Sequence, residues 1–356
     1  MERVNPREFS SSVTDSAGDI LKNASSTDEE KNKALKILSN WRAAHSYPMH
    51  IFKKRLKSVS EKIDKGALSA QRLKRVPSII KKLNRSYDGN KPTMKLTQMQ
   101  DIAGCRVVMS NVKLANELYQ KYYIKGDLKH KKVNEKDYIS HPKTDGYRSI
   151  HLVYRYSSDK GKEEYNGLLI EVQIRSKLQH LWATAVETVD FFTSQAIKSN
   201  EGQVDWIAFF KLVSSAFAQF ENCPIVPQTP ENKQEIYSLI RQKEKELQVR
   251  SKMKHWTNTI RQFDQLKNEE KSQFFLLELD TIQEKLTISS YSKRNEQKAI
   301  SDYAQAEKRI YSRKEYDVVL VGADTTQDLK KAYPNYFLDT REFLKYLDKI
   351  LNESKD

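Results

Sequence analysis

The spacing of apolar residues divides the chain into helical ends and a strand-rich middle. From residue 30 to about 65, apolar side chains recur every three to four positions, which predicts amphipathic helix. Pro48 should divide this stretch in two, because proline interrupts a helix interior. Shorter helices are predicted around residues 15–21 and over 78–87. The first third of the chain is therefore expected to be helical.

The middle of the chain has a different pattern. Segments 103–110 (AGCRVVMS), 150–156 (IHLVYRY) and 168–175 (LLIEVQIR) are rich in β-branched and aromatic residues, which predicts strands. Helices are expected between and after them, over 112–121 and 176–193. The chain has neither a GxGxxG nor a Walker loop, so a dinucleotide-binding βαβ fold is not favoured. The pattern indicates a mixed α+β layer.

The last third returns to helix and then changes again. Residues 204–266 read as helical and end in a strongly charged stretch. Beyond it, strands and helices are expected at 274–279, 286–290, 295–309, 316–321 and 339–351. This change of character predicts a domain boundary near residue 270.

Composition narrows the class of protein. The chain has 356 residues, with 62 Lys and Arg against 47 Asp and Glu, a formal charge of +15 that favours phosphate-rich partners. Two cysteines cannot form a disulfide framework or a four-cysteine zinc site. The N-terminus has no apolar core of a secretory signal, and the best apolar stretch, 207–220, is too short to span a membrane. These features predict a cytoplasmic protein without a membrane partner.

Polar residues alternate with apolar ones along the strand predicted at 168–175. Period two places Glu171, Gln173 and Arg175 on one face, opposite the apolar residues of the same strand. Such a face could bind a ligand. For this strand taken alone, a surface ion pair between Glu171 and Arg175 is the simpler interpretation.

Two further segments place polar residues beside predicted strands. Asp101 and Arg106 flank the start of segment 103–110, and Tyr147 and His151 flank the start of segment 150–156. Carboxylates suit Mg²⁺, guanidinium groups suit phosphates, and an aromatic ring suits a base. The combination points to a magnesium–nucleotide site, although each residue alone could be structural.

Together, the motifs resemble the synthetase domain of the RelA/SpoT alarmone family. The matching motifs are QDIAGCR, DYISHPKTDGYRSIH and EVQIRSKLQHLWA, preceded by segment 72–82, which resembles the start of that family's ATP-binding helix. The resemblance covers roughly residues 45–200. It implies a mixed, nucleotidyltransferase-like sheet flanked by helices. It also implies a pyrophosphokinase that transfers the β,γ-pyrophosphate of ATP to a ribose 3′-hydroxyl and releases AMP.

The resemblance assigns a role to each matching position. Mg²⁺ would be held by the two catalytic carboxylates, Asp101 and Glu171. ATP would be bound by Arg72, Lys74, Ser78, Lys82 and Arg106. The acceptor would be contacted by Tyr147, His151 and Gln173. Arg72 and Arg106 would stack on the adenine, and Glu171 would also accept the proton of the attacking hydroxyl. Arg148 and Arg175 could support phosphates or brace the sheet.

The end of the chain resembles the antitoxin region of CapRel-type fused toxin–antitoxin proteins. Segments 316–324 and 332–340 carry this likeness, which implies a small α/β, zinc-finger-like domain without a metal. Tyr333 and Tyr336 match the YxxY element that blocks the adenine pocket in such proteins, although they could also form a packed turn. The predicted organisation is an N-terminal arm and helix, a synthetase core, a helical extension and an antitoxin-like domain, at 1–44, 45–200, 201–270 and 271–356.

The CapRel-type likeness implies a particular acceptor and activator. The acceptor would be the 3′ CCA end of tRNA, whose modification blocks aminoacylation and translation. A phage structural protein, typically the major capsid protein, would release the inhibited enzyme as an anti-phage defence. Candidate tRNA contacts are a basic helix and the loop before Asp137, or simply solvated faces: Lys53, Lys54, Arg55, Lys57, Lys131 and Lys132. The alternative function is a small alarmone synthetase that makes ppGpp or pppGpp from GDP or GTP.

Overall fold

The computed structural model describes residues 8–86, 92–196, 202–259, 272–280, 285–310, 316–322 and 340–353. Its first helices are α1 (Ser11–Lys22), α2 (Asp28–Ala44) and α3 (Ser46–Ser60). A capping box between Thr27 and Glu30 starts α2. The predicted interruption falls at His45, because Pro48 lies in the first turn of α3, where proline is tolerated.

The described strands form one eight-stranded mixed sheet. The strands are β1 (Leu68–Leu73), β2 (Ala103–Met109), β3 (Lys131–Asp137), β4 (Ile150–Arg155), β5 (Leu169–Ser176), β6 (Ser272–Asp280), β7 (Lys285–Ser292) and β8 (Tyr316–Gly322). Their order is β3-β4-β5-β2-β1-β8-β6-β7. β2 and β5 run parallel and the other neighbours are antiparallel. The predicted α+β class with a mixed sheet is confirmed.

Further helices connect and follow these strands. They are α4 (Val76–Leu83), α5 (Val112–Tyr119), α6 (Lys177–Ala196), α7 (Gly202–Phe220), α8 (Lys233–Leu247), α9 (Val249–Thr259), α10 (Glu296–Ile310) and α11 (Arg341–Asn352). The helix predicted over 204–266 is thus divided into α7, α8 and α9. Asn222 and Gln248, both with left-handed backbone, lie just after α7 and α8. None of the described helices has the length and apolar character that a bilayer span requires.

The two faces of the sheet have different roles. Alternate residues such as Cys105, Leu152 and Val172 are fully buried, and they share one core with α3 and α5. We call this side the back face. The intervening residues, including Arg106 and Glu171, point to the opposite side, the front face. Period two therefore separates the apolar core from the polar residues that the sequence singled out.

Strands from the end of the chain extend this same sheet. β8 pairs with β1 at Gln71–Gly322 and Arg72–Val321, and β6 pairs with β8 along its length. The division into four domains stays a prediction, as does the zinc-finger-like character of the last one. What the structure adds is that segments on both sides of residue 270 are hydrogen-bonded into one sheet. Tyr333 and Tyr336 lie outside the described residues.

Two strands were not predicted from sequence. β1 (LSAQRL) contains Arg72, so segment 72–82 is the end of a strand followed by α4, not a continuous helix start. β3 (KKVNEKD) is an edge strand, which can expose polar side chains and therefore lacks a clear alternating pattern. Lys131 and Lys132 consequently lie in a strand, not in the predicted loop.

Candidate active site

A cavity of about 70 Å³ lies on the front face over β1, β2 and β5. It brings together six of the residues predicted for the site: Arg72, Lys74, Asp101, Arg106, Glu171 and Gln173. Gly104 contributes to its floor between the two neighbouring strands. A side chain at Gly104 would start 3.7 Å from the Glu171 carboxylate, so glycine leaves that carboxylate open to the cavity.

Two lysines hold the carboxylate of Asp101. Lys74 follows β1 and its Nζ lies 3.0 Å from Oδ2, while Lys82 in the last turn of α4 lies 2.9 Å from Oδ1. Burial raises the pKa of Asp101, but the two ammonium groups outweigh that effect and hold the pKa below its ordinary value. Burial lowers the pKa of Lys74 although Asp101 opposes this. Asp101 is therefore ionised at neutral pH.

Glu171 accepts hydrogen bonds at both carboxylate oxygens. His151 Nδ1 lies 2.7 Å from Oε1, and Gln173 Nε2 lies 2.7 Å from Oε2. Burial raises the pKa of Glu171, but the hydrogen bond and charge interaction with His151 reverse the shift and leave the pKa below its ordinary value. This second carboxylate is also ionised at neutral pH, inside a largely buried setting.

The donors around Glu171 form a connected network that begins at Arg175. Arg175 Nη2 lies 2.6 Å from the Tyr147 hydroxyl and 3.2 Å from Gln173 Oε1, and the Tyr147 hydroxyl lies 2.7 Å from His151 Nε2. A guanidinium group can only donate, so the Tyr147 hydroxyl accepts from Arg175. The ionised carboxylate of Glu171 can only accept, so His151 donates to it from Nδ1. Two hydrogen-bonded paths thus orient one carboxylate.

Tyr147 is surrounded by aromatic and cationic groups. The Arg175 guanidinium lies 5.1 Å and the Lys143 Nζ 5.2 Å from its ring centre, and Tyr138 stands edge-on at 6.0 Å. Asp145 accepts the Tyr147 backbone N–H at 2.9 Å and so shapes the turn. Tyr138 and Lys143 were not singled out from sequence, although both lie inside the quoted motif.

The structure gives Arg148 and Arg175 bracing roles. Arg148 is 3% exposed and donates to Ser214 Oγ at 3.1 Å and to the Ile139 carbonyl. Arg175 is 4% exposed and anchors the Glu171 network. Ser78 lies partly exposed in the first turn of α4, outside the residues that line the cavity. Its predicted ATP contact stays a prediction.

The predicted tRNA contacts do not form one surface around this cavity. The Lys53 side chain is only 8% exposed, so it is not accessible to RNA in this structure. This corrects the prediction that Lys53 contacts tRNA. Lys54, Arg55 and Lys57 share α3, which packs on the back face. An RNA whose 3′ end reached Glu171 would have to pass around the sheet to reach them.

Basic residues of the edge strand are better placed. Lys132 pairs with Glu135, whereas Lys131 lies opposite Arg155 in the register of β3 and β4. Lys136 lies opposite His151, so it is on the front face, and it is exposed. The sequence pattern did not single out Lys136, because its face became known only from the strand register.

Comparisons with known proteins agree with the motifs. Residues 71–191 match the family model described as the region found in RelA / SpoT proteins. The GTP pyrophosphokinase YjbM of Bacillus subtilis is 32% identical over 120 residues, covering 34% of this chain and 54% of that protein. The chloroplastic GTP diphosphokinase CRSH2 of Oryza sativa subsp. japonica is 37% identical over 105 residues, covering 28% of this chain and 18% of that protein. The chain thus spans about half or less of the curated relatives' length.

Solved structures show a related similarity. The small alarmone synthetase 1 of Bacillus subtilis, bound to its product pppGpp, is 24% identical with a TM-score of 0.42, covering 50% of this chain and 90% of that chain. The matched region contains Arg72, Asp101, Arg106, Tyr147 and Glu171. Residues 71–191 of the chain therefore carry the region found in RelA / SpoT proteins.

Proposed function

We propose that this chain is a pyrophosphokinase that uses ATP as the donor and a ribose 3′-hydroxyl as the acceptor. The observation that carries the proposal is the cavity in which two ionised carboxylates face Arg72, Arg106 and Lys74. A relative that is 32% identical and named a GTP pyrophosphokinase supports it. The acceptor oxygen would attack the β-phosphorus, the bond from that phosphorus to the α–β bridging oxygen would break, and AMP would leave.

The donor set suits Mg²⁺. Asp101 and Glu171 present hard oxygen ligands to one cavity, and magnesium in proteins is commonly bound by one or two carboxylates together with substrate phosphates. When bound, Mg²⁺ would supply charge neutralisation of the transferred phosphates. Lys74 and Lys82 already neutralise Asp101 in the free protein, so their ammonium groups are placed to turn toward those phosphates.

Glu171 is the proton acceptor in this proposal. Its lowered pKa keeps it ionised at neutral pH, so it can take the proton that the 3′-hydroxyl loses. His151 and Gln173 fix both oxygens and thereby hold the carboxylate in one orientation. Arg72 and Arg106 would stack on the adenine with planar guanidinium groups, and the Tyr147 ring would stack on the acceptor base.

The relatives favour a guanosine nucleotide as the acceptor. Both curated relatives are named for GTP, which supports synthesis of ppGpp or pppGpp from GDP or GTP. The tRNA 3′ end is the second candidate. It is supported by exposed cations near the acceptor side, Lys136 and Lys143, and by the CapRel-type likeness of the chain's end.

Control by the end of the chain is part of the second candidate. Tyr333 and Tyr336 would cover the ATP-binding face near Arg72 and Arg106, and a phage structural protein would withdraw them. A tethered element needs only weak contacts, because attachment gives an effective concentration in the millimolar range. The pairing of β8 with β1 supports this proposal, since it brings the described end of β8 beside Arg72.

Label transfer from γ-labelled ATP distinguishes the acceptors. The full chain is incubated with Mg²⁺ and GDP, GTP, intact tRNA or tRNA lacking its terminal CCA. Label on GDP or GTP alone supports the alarmone synthetase. Label on intact tRNA that disappears when CCA is removed supports the tRNA enzyme. If none of these acceptors is labelled and ATP stays intact, the proposed activity is wrong.

A further inference from the structure

Helix α4 is capped by a residue far away in the sequence. The Val76 N–H, in the first turn of α4, donates to Glu307 Oε1 at 2.9 Å, and Glu307 lies on α10. The residue preceding α4, Arg75, makes no side-chain cap, and Pro77 has no N–H to be satisfied. The carboxylate of Glu307 therefore takes the place of a local cap at the positive end of the helix.

Glu307 is also fixed by a buried ion pair. Arg42 on α2 binds both of its oxygens, with Nη2 at 3.4 Å from Oε1 and Nη1 on Oε2. The two side chains are 3% and 5% exposed, and the Tyr303 ring lies 4.7 Å from the Arg42 guanidinium. Both charged groups are therefore shielded from water. A buried pair of this kind has a single geometry, because displacement of either charge would leave its partner uncompensated.

The position of α4 matters because it carries Lys82, which holds one of the carboxylates that line the nucleotide cavity. Lys82, in its last turn, holds Asp101 at 2.9 Å, and Ser78 lies in its first turn. α4 is only eight residues long, and a helix this short depends on external contacts for its stability. A contact at the first N–H of α4 therefore influences where Lys82 lies relative to Asp101.

We propose that Glu307 is a positioning residue for the nucleotide site. Through Val76 and Arg42 it holds α4 so that Lys82 reaches Asp101, which makes α10 a structural part of the ATP site. The inference rests on the proposed function in that ATP is the ligand of this cavity. Glu307 touches no substrate; its effect reaches the site through α4.

The rival interpretation is that the ion pair only stabilises the fold. The full chain with Arg42→Met and Glu307→Met together distinguishes a positioning role from a purely stabilising one. Replacing a buried ion pair by apolar groups of similar size is often neutral for stability, but methionine does not replace the carboxylate that accepts the Val76 hydrogen bond. Glu307→Gln is the second variant, since it replaces one of the two accepting oxygens by an NH₂ group, which must then face either Val76 or Arg42. Glu278→Gln is the matched control, as it breaks the exposed Glu278–Arg309 pair between β6 and α10.

Four measurements are made on each variant: thermal unfolding, amide hydrogen exchange of residues 76–83, binding of a non-hydrolysable ATP analogue, and steady-state kinetics with ATP. The double variant should unfold near the wild-type temperature. Its α4 amides should exchange at least about tenfold faster, and the analogue should bind about tenfold more weakly, a change of about 1.4 kcal/mol. The KM for ATP should rise with little change in kcat. The control should match wild type throughout.

Wild-type exchange in α4, or faster exchange with unchanged analogue affinity, would overturn the inference. If the double variant does not fold, Glu307→Gln tests the inference instead. Unchanged analogue affinity together with unchanged exchange in α4 would then overturn the inference. Failure of the proposed function looks different. In that case wild type binds the analogue and shows the Glu307 effect, yet transfers no pyrophosphate to any acceptor.

Discussion

Replacing Glu171 by glutamine tests the centre of the site with the smallest possible change. Both oxygens of the carboxylate accept hydrogen bonds, from His151 Nδ1 and Gln173 Nε2, at 2.7 Å each. Glutamine offers one oxygen and one NH₂ group, so one of these donors would face another donor. Gln173 cannot reverse its amide without turning its NH₂ toward Arg175, which also only donates.

The magnitude follows from this mismatch. A buried donor left without a partner costs about 1–3 kcal/mol, so the free energy of unfolding should fall by an amount in this range. Transfer should fall by about 10²-fold or more, since a general base contributes about 10²–10⁴-fold. The loss of rate should therefore exceed what the loss of stability explains at a temperature where Glu171→Gln is fully folded.

The assay combines initial rates of label transfer with urea unfolding of the same samples. Glu163→Gln is the matched control, because Glu163 is an exposed carboxylate in the connection between β4 and β5. It should keep wild-type rate and stability. Wild-type transfer by folded Glu171→Gln would refute both its role as proton acceptor and its role toward Mg²⁺.

Three further outcomes are expected. The pKa of Asp101 is held below its ordinary value of 3.8, so this carboxylate adds stability above about pH 4 and loses it as the pH falls further. The difference in urea unfolding between wild type and Asp101→Asn should be full near pH 6 and should shrink as the pH falls below 4; a constant difference would contradict the assignment. Arg106→Lys should raise the KM for ATP about tenfold with a smaller effect on kcat, because the lysine ammonium group is not planar and cannot stack on the adenine. An unchanged KM would show that Arg106 does not stack on the adenine. If the end of the chain is inhibitory, Tyr333→Ala and Tyr336→Ala should each raise transfer and slow growth on expression, whereas folded variants with wild-type transfer would make these tyrosines packing residues.

The strand pairing of the C-terminal segment changes how inhibition should be tested. Truncation near residue 270 would remove β8 from the edge of β1, and it would remove Glu307, which pairs with Arg42 and caps α4. The unpaired edge of β1 and the uncapped α4 would both disturb the nucleotide site. A truncated protein without activity would therefore not argue against inhibition. Point substitutions at Tyr333 and Tyr336 avoid this problem.

Local sequence pattern predicted the strands that are buried on one face. β2, β4 and β5 were expected within one residue of their ends, because apolar residues alternate or cluster along them. β1 and β3 were missed, since a short strand with Ser, Gln and Arg and a charged edge strand have no such pattern. The front-face site was predictable because motif spacing and period two agree.

The sequence could not predict which residues hydrogen-bond to one another around the site. The face of Glu171 follows from alternation, but its link through His151 and Tyr147 to Arg175 depends on how β4, β5 and the preceding turn meet. The contact from Val76 to Glu307 joins residues 231 positions apart. No local pattern encodes a contact at that separation, and it appears only once α10 is packed onto the sheet.

The fate of each phosphate of ATP tests the central claim most directly. Parallel reactions use ATP labelled at the α or at the γ position, with Mg²⁺ and the acceptor that is modified. Pyrophosphate transfer predicts that all α label consumed appears as AMP and that γ label appears on the acceptor in equal amount. Formation of ADP with one phosphate on the acceptor, or α label on the acceptor, would contradict the account.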